Sequence, residues 1–256
     1  MTIISRFQAL VERSLFRGKS SRASEALAYI VANLFLMVVV FDLLLNTVIY
    51  NWTGSLYATG FHLNTALDDI IPFRPEWAIF YLYLFYWATE ATMAVLAVLY
   101  YKQGYAFAWS LVIVNLVADL VYLAFPVTTD VYRAAISAHP LVGNKFSEAM
   151  NEYYRDDPSF DCFPSLHAAV SVLVAYAWYR FAGSKRNALT IAIAVVAALI
   201  AVGTVLSTLF VKQHYIADEI SGIALALVVG KLVYDRALGR PSAARSRAPR
   251  TSPPQG

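Results

Sequence analysis

The sequence has few charged residues and a single cysteine. Charged residues make up 14% of the 256-residue chain, whereas hydrophobic residues make up 59%. A soluble globular domain usually carries about 25% charged residues, so this composition excludes an ordinary soluble protein. Because Cys162 has no second cysteine to pair with, an intramolecular disulfide is excluded and no cysteine spacing typical of a zinc site exists. We assign this thiol no catalytic role and expect no nucleic-acid partner.

The apolar residues are gathered in long runs. A helix needs about 20 of them to cross the hydrocarbon core of a bilayer. Backbone amides within the bilayer must be satisfied internally, and the alternating strands of a barrel are not seen, so each run is predicted to be helical. The predicted fold is an all-α integral membrane bundle of six transmembrane helices, near residues 28–50, 77–101, 105–127, 165–182, 187–211 and 214–236.

The ends of the chain differ from the membrane domain, which is predicted to cover residues 25–237. Within residues 1–24, apolar residues keep helical spacing against arginines, which predicts a cytoplasmic amphipathic helix at the membrane surface. A cleaved signal peptide is rejected because the first apolar run is too long and lacks a small-residue cleavage site. The Arg-, Ser- and Pro-rich residues 238–256 are predicted to form a disordered basic cytoplasmic tail.

One long loop, roughly 128–163, separates the third and fourth predicted spans. Apolar residues recur in it at four-residue steps, which predicts a short helix lying across the membrane surface. These residues are Val142, Phe146, Met150 and Tyr154.

Lysine and arginine are concentrated on one side of the predicted spans. Since positively charged short loops are retained in the cytoplasm, both termini are predicted to be cytoplasmic. The opposite face holds all four histidines, so chemistry is expected on the extracytoplasmic side. They are His62, His139, His167 and His214.

Two histidine motifs, residues 163–167 and 212–218, open the fourth and sixth predicted spans. Pro164 suits a first helical turn, which places His167 at a helix N-terminus. Asp218 follows His214 by four residues and so lies one turn further on the same helix face, where its carboxylate can accept a proton from the imidazole. Two facing helix N-termini would form an anion pocket suited to a phosphate.

These motifs resemble the type-2 phosphatidic acid phosphatase superfamily. Its pattern is Pro-Ser-x-His, followed by Ser-Arg, five residues, His, three residues and Asp. Thr208 stands where that pattern has a phosphate-binding arginine, and Leu67 stands in place of its first-motif lysine relative to Arg74-Pro75, so phosphate contacts must be partly rebuilt. The matching residues are Pro164, Ser165 and His167, then Ser207, His214 and Asp218.

A branch of that superfamily is also indicated. Residues 71–77, the Phe-Pro-Ser-Leu-His string, Ser207-Thr208 and residues 212–215 look like the inositol phosphorylceramide synthase group. The resemblance implies a lipid phosphotransferase, in which a histidine attacks a phospholipid and keeps the headgroup phosphate until a lipid alcohol such as ceramide accepts it.

The resemblance also implies roles for single residues. His214 would be the nucleophile, Asp218 would hold its tautomer, and His167 would be the general acid. No metal or cofactor is expected, because cationic side chains and helix ends would compensate the charge. Lysine and arginine side chains here have an alternative role at the lipid interface, and Ser207 has one in shaping a helix end. The implied phosphate-binding residues are Arg74, Ser165, Ser207 and Lys212.

Three acidic residues fall within the apolar spans, where ionisable groups are costly. Asp42 and Asp119 are expected in the outer half of the bilayer and are candidates for binding headgroup hydroxyls, whereas Glu90 lies deeper. Hydrogen bonding between helices is the alternative role for each.

Two other functions remain open from the sequence. The nearer one is a lipid phosphate phosphatase that uses water as acceptor, on phosphatidate-like or polyprenyl (di)phosphate substrates. The more distant one is a non-catalytic lipid transporter, in which the intramembrane acids would be the working residues. The sequence does not indicate an oligomeric state.

Overall fold

The computed structural model describes residues 5, 6, 9, 22–139, 143–157 and 159–238. The predicted N-terminal amphipathic helix and the predicted basic tail lie almost entirely outside the described residues. Both therefore stay predictions.

From residue 22 onward the described residues form nine helices, and their extended pairing is limited to two isolated bridges, Phe61 with Val127 and Val127 with Asp161. The all-α prediction is confirmed. Helix α1 contains a π-helical stretch, and α3 begins with a 3-10 turn. The helices are α1 (Arg22–Ser55), α2 (Ala66–Ile70), α3 (Pro75–Val98), α4 (Tyr101–Ala124), α5 (Asp130–Ala138), α6 (Lys145–Asp156), α7 (Leu166–Lys185), α8 (Ala188–Phe210) and α9, which runs from Ile216–Val229 through a π-helical turn to Ala237.

Four of the described helices, α1, α3, α4 and α8, are long and apolar enough to cross a membrane. They coincide with four of the six predicted spans. The other two predicted spans fall on α7 and α9, which carry polar and charged residues such as Arg180, Lys185, Asp218 and Lys231. These two helices follow the histidine motifs. Their polar and charged residues lower the mean hydropathy, which is the property that identifies a membrane span. The count of six spans stays a prediction.

Helix α7 lies at the centre of the bundle and packs against α3, α4, α8 and α9. Its Ala168, Ala169 and Ala177 are fully buried, and small side chains let neighbouring helices approach closely. Helix α4 is the most buried of the four apolar spans, because 61% of its most apolar 18-residue stretch is buried. Large apolar side chains such as Leu189 and Leu199 of α8 point outward, as expected for lipid-facing positions.

The segments that follow α1, α4 and α8 gather at one end of the bundle. Phe61 donates its N–H to the carbonyl of Pro126 at 2.8 Å, and Tyr154 donates its hydroxyl to the carbonyl of Val211. Two helices lie in the long loop at this end. The helix predicted from four-residue steps is present as α6, whose first turn is capped by the Asn144 side chain, whereas α5 was not predicted. That α6 lies across the membrane surface stays a prediction.

Candidate active site

The N-termini of α7 and α9 touch each other at this end. The backbone N–H of Ser165 donates to the carbonyl of Asp218 at 3.1 Å, while the Ser165 hydroxyl caps α7 by accepting from Ala168 at 3.2 Å. A Cβ atom added to Gly222 would lie 2.3 Å from the Ser165 carbonyl oxygen, so only glycine permits this approach. The contact brings the two histidine motifs together.

His214 is held in one orientation by groups that only accept hydrogen bonds. Its Nδ1 lies 3.0 Å from the carbonyl oxygen of Cys162 and 3.5 Å from Oδ2 of Asp218. Because neither partner can donate, the proton of the neutral ring resides on Nδ1, and this tautomer leaves the lone pair of Nε2 free. The preceding turn is fixed as well, since the N–H groups of Gln213 and His214 both point to the carbonyl of Thr208, at 2.8 and 3.4 Å.

Asp218 is completely buried behind His214. Its Oδ2 also accepts from the backbone N–H of Tyr215 at 2.8 Å, which ties the carboxylate to the first turn of α9. A carboxylate fixed in this way can stabilise positive charge that develops on the His214 ring.

His167 faces His214 across a gap of 5.8 Å between ring centroids. The His167 ring stacks on Tyr81 at 4.3 Å and lies 4.7 Å from Phe85, both on α3. Its Nε2 atom is buried and has no hydrogen-bond partner. The ring is therefore oriented by aromatic packing while one nitrogen stays available.

Both histidines line the same pocket. It extends from the loops of the site end into the bundle between α1, α3 and α4. The lining is mixed, with aromatic walls and several carboxylates and amides. Its ionisable and amide residues are Asp42, Asn46, Glu90, Asn115, Arg133, Asp157, Asp161, His167, Gln213 and His214.

Arg133 is a pocket residue that the sequence did not single out. It lies on α5, is 6% exposed, and pairs with Asp157 at 2.6 Å between Nη2 and Oδ2. The same Nη2 donates to Oε1 of Gln213. Burial alone would lower the pKa of Arg133, but the charge of Asp157 raises it above its ordinary value. From the sequence, Arg133 was one of several cations on this face, and no signal separated it because α5 itself was not predicted.

Asp161 is a second pocket residue that the sequence missed. It is 5% exposed, and its Oδ2 atom has no hydrogen-bond partner. Burial, together with the neighbouring charge of Asp157, raises the pKa of Asp161 from 3.8 to about 7. This carboxyl group is therefore partly protonated near neutral pH.

The predicted phosphate-binding residues lie around the pocket rather than in its lining. Ser165 caps α7, and the Ser207 hydroxyl donates to the Thr204 carbonyl of its own helix at 2.7 Å. Arg74 is exposed, and its backbone N–H donates to Phe210 at 3.0 Å.

Lys212 is buried and turned away from the pocket. Its ammonium group donates to the Asp68 carbonyl at 2.7 Å and lies 4.5 Å from the ring centroid of Tyr132. Burial lowers the pKa of Lys212. This side chain ties α2 to the turn before His214, since Oδ1 of Asp68 also accepts from the N–H of Ile216 at 2.7 Å.

The intramembrane acids separate into two groups. Asp42 on α1 and Glu90 on α3 both line the pocket. Asp119 on α4 is buried outside that lining, and neither of its carboxylate oxygens has a hydrogen-bond partner. The structure thus brings Asp42, but not Asp119, to the histidines' pocket.

Three side chains could offer ligand atoms to a metal ion. Atoms of Cys162, His214 and Asp218 lie within 4.8 Å of one another. All three already take part in the contacts that hold His214, because the Cys162 thiol donates to the Gln213 carbonyl at 3.5 Å and the Cys162 carbonyl faces Nδ1. We predict that activity persists when a strong chelator is added, which an assay with and without the chelator would check.

The fold and the site together define a helical membrane protein with a paired-histidine pocket at one end of its bundle. A family model described as the PAP2 superfamily matches residues 57–232. Because this match covers more than half of the chain, the protein belongs to the PAP2 superfamily, as the motifs predicted. It is therefore an enzyme of the lipid phosphatase or phosphotransferase type. Comparison with curated proteins yields no match, and comparison with solved structures yields none either.

Proposed function

We propose that this enzyme transfers a phosphate-containing headgroup from a phospholipid to a lipid alcohol through a phosphohistidine intermediate on His214. The observation that carries the proposal is the pairing of His214 and His167 at 5.8 Å in one pocket, with Nδ1 of His214 held by the Cys162 carbonyl and Asp218. The free Nε2 is then a nucleophile backed by an orienting acid.

The reaction has two balanced halves. In the first, Nε2 of His214 attacks phosphorus, the N–P bond forms, the P–O bond to the donor lipid breaks, and His167 gives its proton to the departing oxygen. In the second, the acceptor hydroxyl attacks phosphorus, His167 takes its proton, and the N–P bond breaks. Asp218 stabilises the positive charge on the His214 ring in between.

The charge of the pocket supports a phosphodiester as donor. Among the described lining residues, the carboxyl groups of Asp42, Glu90 and Asp157 outnumber the single guanidinium of Arg133, even when the partly protonated Asp161 is left out. Like charges placed close together are costly, so a diester with one negative charge is tolerated better than a phosphomonoester or a diphosphate with two or more. The acids and amides deeper in the pocket can bind headgroup hydroxyls.

Hydrolysis is the second candidate, and a polar groove beside the pocket favours it. A polar groove lined by the exposed Glu152 and Asp156 shares Tyr50, Tyr153 and Asp157 with the pocket wall. Water entering there would release the headgroup phosphate from His214 in place of the lipid alcohol. Membership of the superfamily supports either enzyme over the non-catalytic transporter.

We further propose that the site faces the extracytoplasmic side and that both termini are cytoplasmic. Cationic residues collect at the opposite end of the bundle, as expected for the cytoplasmic face. Two of them are paired there, Lys102 with Glu25 at 2.7 Å and Arg180 with Asp235 at 2.8 Å.

The deciding experiment follows a labelled headgroup in liposomes that contain the purified enzyme, a labelled phospholipid and ceramide. We expect the label to pass into the second lipid, and the same preparation carrying His214→Ala to show no transfer. Release of labelled headgroup phosphate that is unchanged by ceramide would support hydrolysis instead. His139→Ala is the matched control, because His139 is exposed and lies outside the pocket lining.

A further inference from the structure

We infer that Arg133 and Gln213 form the pair that binds the phosphate oxygens of the substrate, in place of the arginine that this chain lacks at Thr208. The inference deepens the proposed function and rests on it for the identity of the substrate. It assigns the phosphate contacts to Arg133 on α5 and to Gln213 in the turn before α9, both outside helices α7 and α9.

Gln213 has an unused donor at the centre of the site. The residue is 2% exposed, its Oε1 accepts from Arg133, and its backbone N–H is bonded to Thr208. The side-chain Nε2 is buried without a hydrogen-bond partner, although the residue lines the pocket beside His214. A buried donor left unpaired is costly, so this amide is matched to an acceptor that arrives with the ligand.

Arg133 contributes charge and a further donor. Of its five N–H groups, Nε donates to Thr129 at 3.2 Å, one on Nη1 donates to the Asp157 carbonyl at 3.3 Å, and the two on Nη2 face Gln213 and the Asp157 carboxylate. One N–H on Nη1 therefore remains. The ion pair with Asp157 offsets part of the positive charge of Arg133. The remaining attraction suits a phosphodiester, which carries one negative charge.

Thr208 cannot make the phosphate contact that the arginine of the family's pattern would make. Its hydroxyl donates to the Val205 carbonyl of its own helix at 2.7 Å. By contrast, the unpartnered nitrogens of Gln213 and His167 and the free Nε2 of His214 belong to residues that line one pocket with Arg133. In this common space, phosphate oxygens would accept hydrogen bonds from Gln213 and His167, while the lone pair on Nε2 of His214 attacks phosphorus.

The test uses Gln213→Glu, which keeps an oxygen for Arg133 but replaces the free amide donor by a second oxygen. The probe is orthovanadate, titrated against the purified full-length protein in detergent, with the rise in Tm as readout. We expect vanadate to bind at least about tenfold more weakly to this variant, because a hydrogen bond to a charged group is lost. In the lipid assay, KM should rise more than kcat falls. Gln103→Glu, on α4 at the opposite end of the bundle, is the control and should bind vanadate like the wild type.

Arg133 is tested together with its partner, because Arg133→Gln alone would leave the Asp157 carboxylate buried and unpaired. The double variant Arg133→Gln/Asp157→Asn removes both charges and should keep a wild-type Tm without ligand while losing vanadate binding. Arg155→Gln, an exposed arginine on α6, is its control.

The outcomes separate this inference from the proposed function. The assignment of Arg133 and Gln213 would be refuted, even if lipid transfer is observed, by either of two results. One is wild-type vanadate affinity in Gln213→Glu or in the double variant. The other is no vanadate binding by the wild type. Vanadate binding that depends on both residues, in an enzyme that only hydrolyses its substrate, would leave the pair in place and refute the transfer reaction.

Discussion

At the scale of single residues, the two histidines have different roles because their surroundings differ. His214 has its Nδ1 fixed by acceptors and its Nε2 free, whereas His167 is held by stacking on Tyr81. We predict that His214→Ala abolishes turnover, because the proposed covalent intermediate forms on Nε2 of His214 and alanine offers no nucleophile there. His167→Asn should slow turnover by about 10²–10⁴-fold, the usual contribution of a positioned acid.

Both effects can be measured as initial rates in liposomes with equal amounts of folded protein. A His214→Ala variant that retains full activity would refute the covalent route. A His167→Asn variant as fast as the His139→Ala control would remove His167 from the reaction.

Asp161 is expected to make the stability of the protein depend on pH. Its pKa rises from 3.8 in the unfolded chain to about 7 in the folded protein, first because it is buried and second because Asp157 is close. Between these two values the folded state binds more protons than the unfolded state, so the free energy of unfolding decreases as the pH rises through that window. We predict that Asp161→Asn raises Tm at pH 8 and changes it little at pH 4.

The measurement is thermal unfolding in detergent at several pH values between 4 and 8. The exposed Asp156→Asn serves as the matched control and should keep the wild-type slope. An Asp161→Asn variant whose Tm falls with pH as steeply as that of the wild type would contradict the assignment.

At the scale of helices, the site depends on how closely α7 and α9 approach at their N-termini. Gly222→Ala would place a methyl group 2.3 Å from the Ser165 carbonyl and force the two ends apart. We predict a loss of about 1–3 kcal/mol in stability, the usual cost of overpacking, and a loss of activity as the histidine rings separate.

Gly183→Ala on α7 is the matched control for this substitution. A Cβ atom at Gly183 meets nothing within 4 Å, so alanine should stabilise the helix by about 0.5–1 kcal/mol without changing turnover. Equal Tm and activity in the two variants would show that the contact at Gly222 does not position the site.

The sequence predicted the helices better than it predicted the lining of the pocket. Long apolar runs identify α1, α3, α4 and α8 because hydrophobicity over about 20 residues is a local property. The two histidines and Asp218 do come together, but His214 lies in the turn before α9 rather than on the helix face that the spacing indicated. Arg133 could not be found in this way, because its burial depends on the fold of α5 and on its contact with Gln213, 80 residues further along the chain.

Lys212, by contrast, was predicted to bind phosphate but lies outside the lining of the pocket. Its position beside His214 predicted a phosphate contact, yet the turn has a left-handed backbone at this residue, φ 57°, and the side chain is directed to Asp68. Spacing along the chain places a residue near a site, but the backbone conformation decides where its side chain points.

At the scale of the whole molecule, the two ends of the bundle differ in chemistry. One end carries the pocket and the loop helices α5 and α6, and the other carries the ion pairs of Lys102 and Arg180. Because positively charged loops are retained in the cytoplasm, the end with the pocket should face away from it.

This orientation can be tested with cysteine labelling, because the native Cys162 is 1% exposed and should react little. We predict that His139→Cys, in the exposed turn after α5, reacts with a membrane-impermeant maleimide in intact cells whose outer face is accessible. Ser184→Cys, exposed at the opposite end of α7, should react only after the membrane is permeabilised. The wild type, labelled under both conditions, measures the background from Cys162. The reverse pattern, with Ser184→Cys labelled in intact cells and His139→Cys protected, would place the pocket on the cytoplasmic side and require a cytoplasmic source for the phospholipid donor.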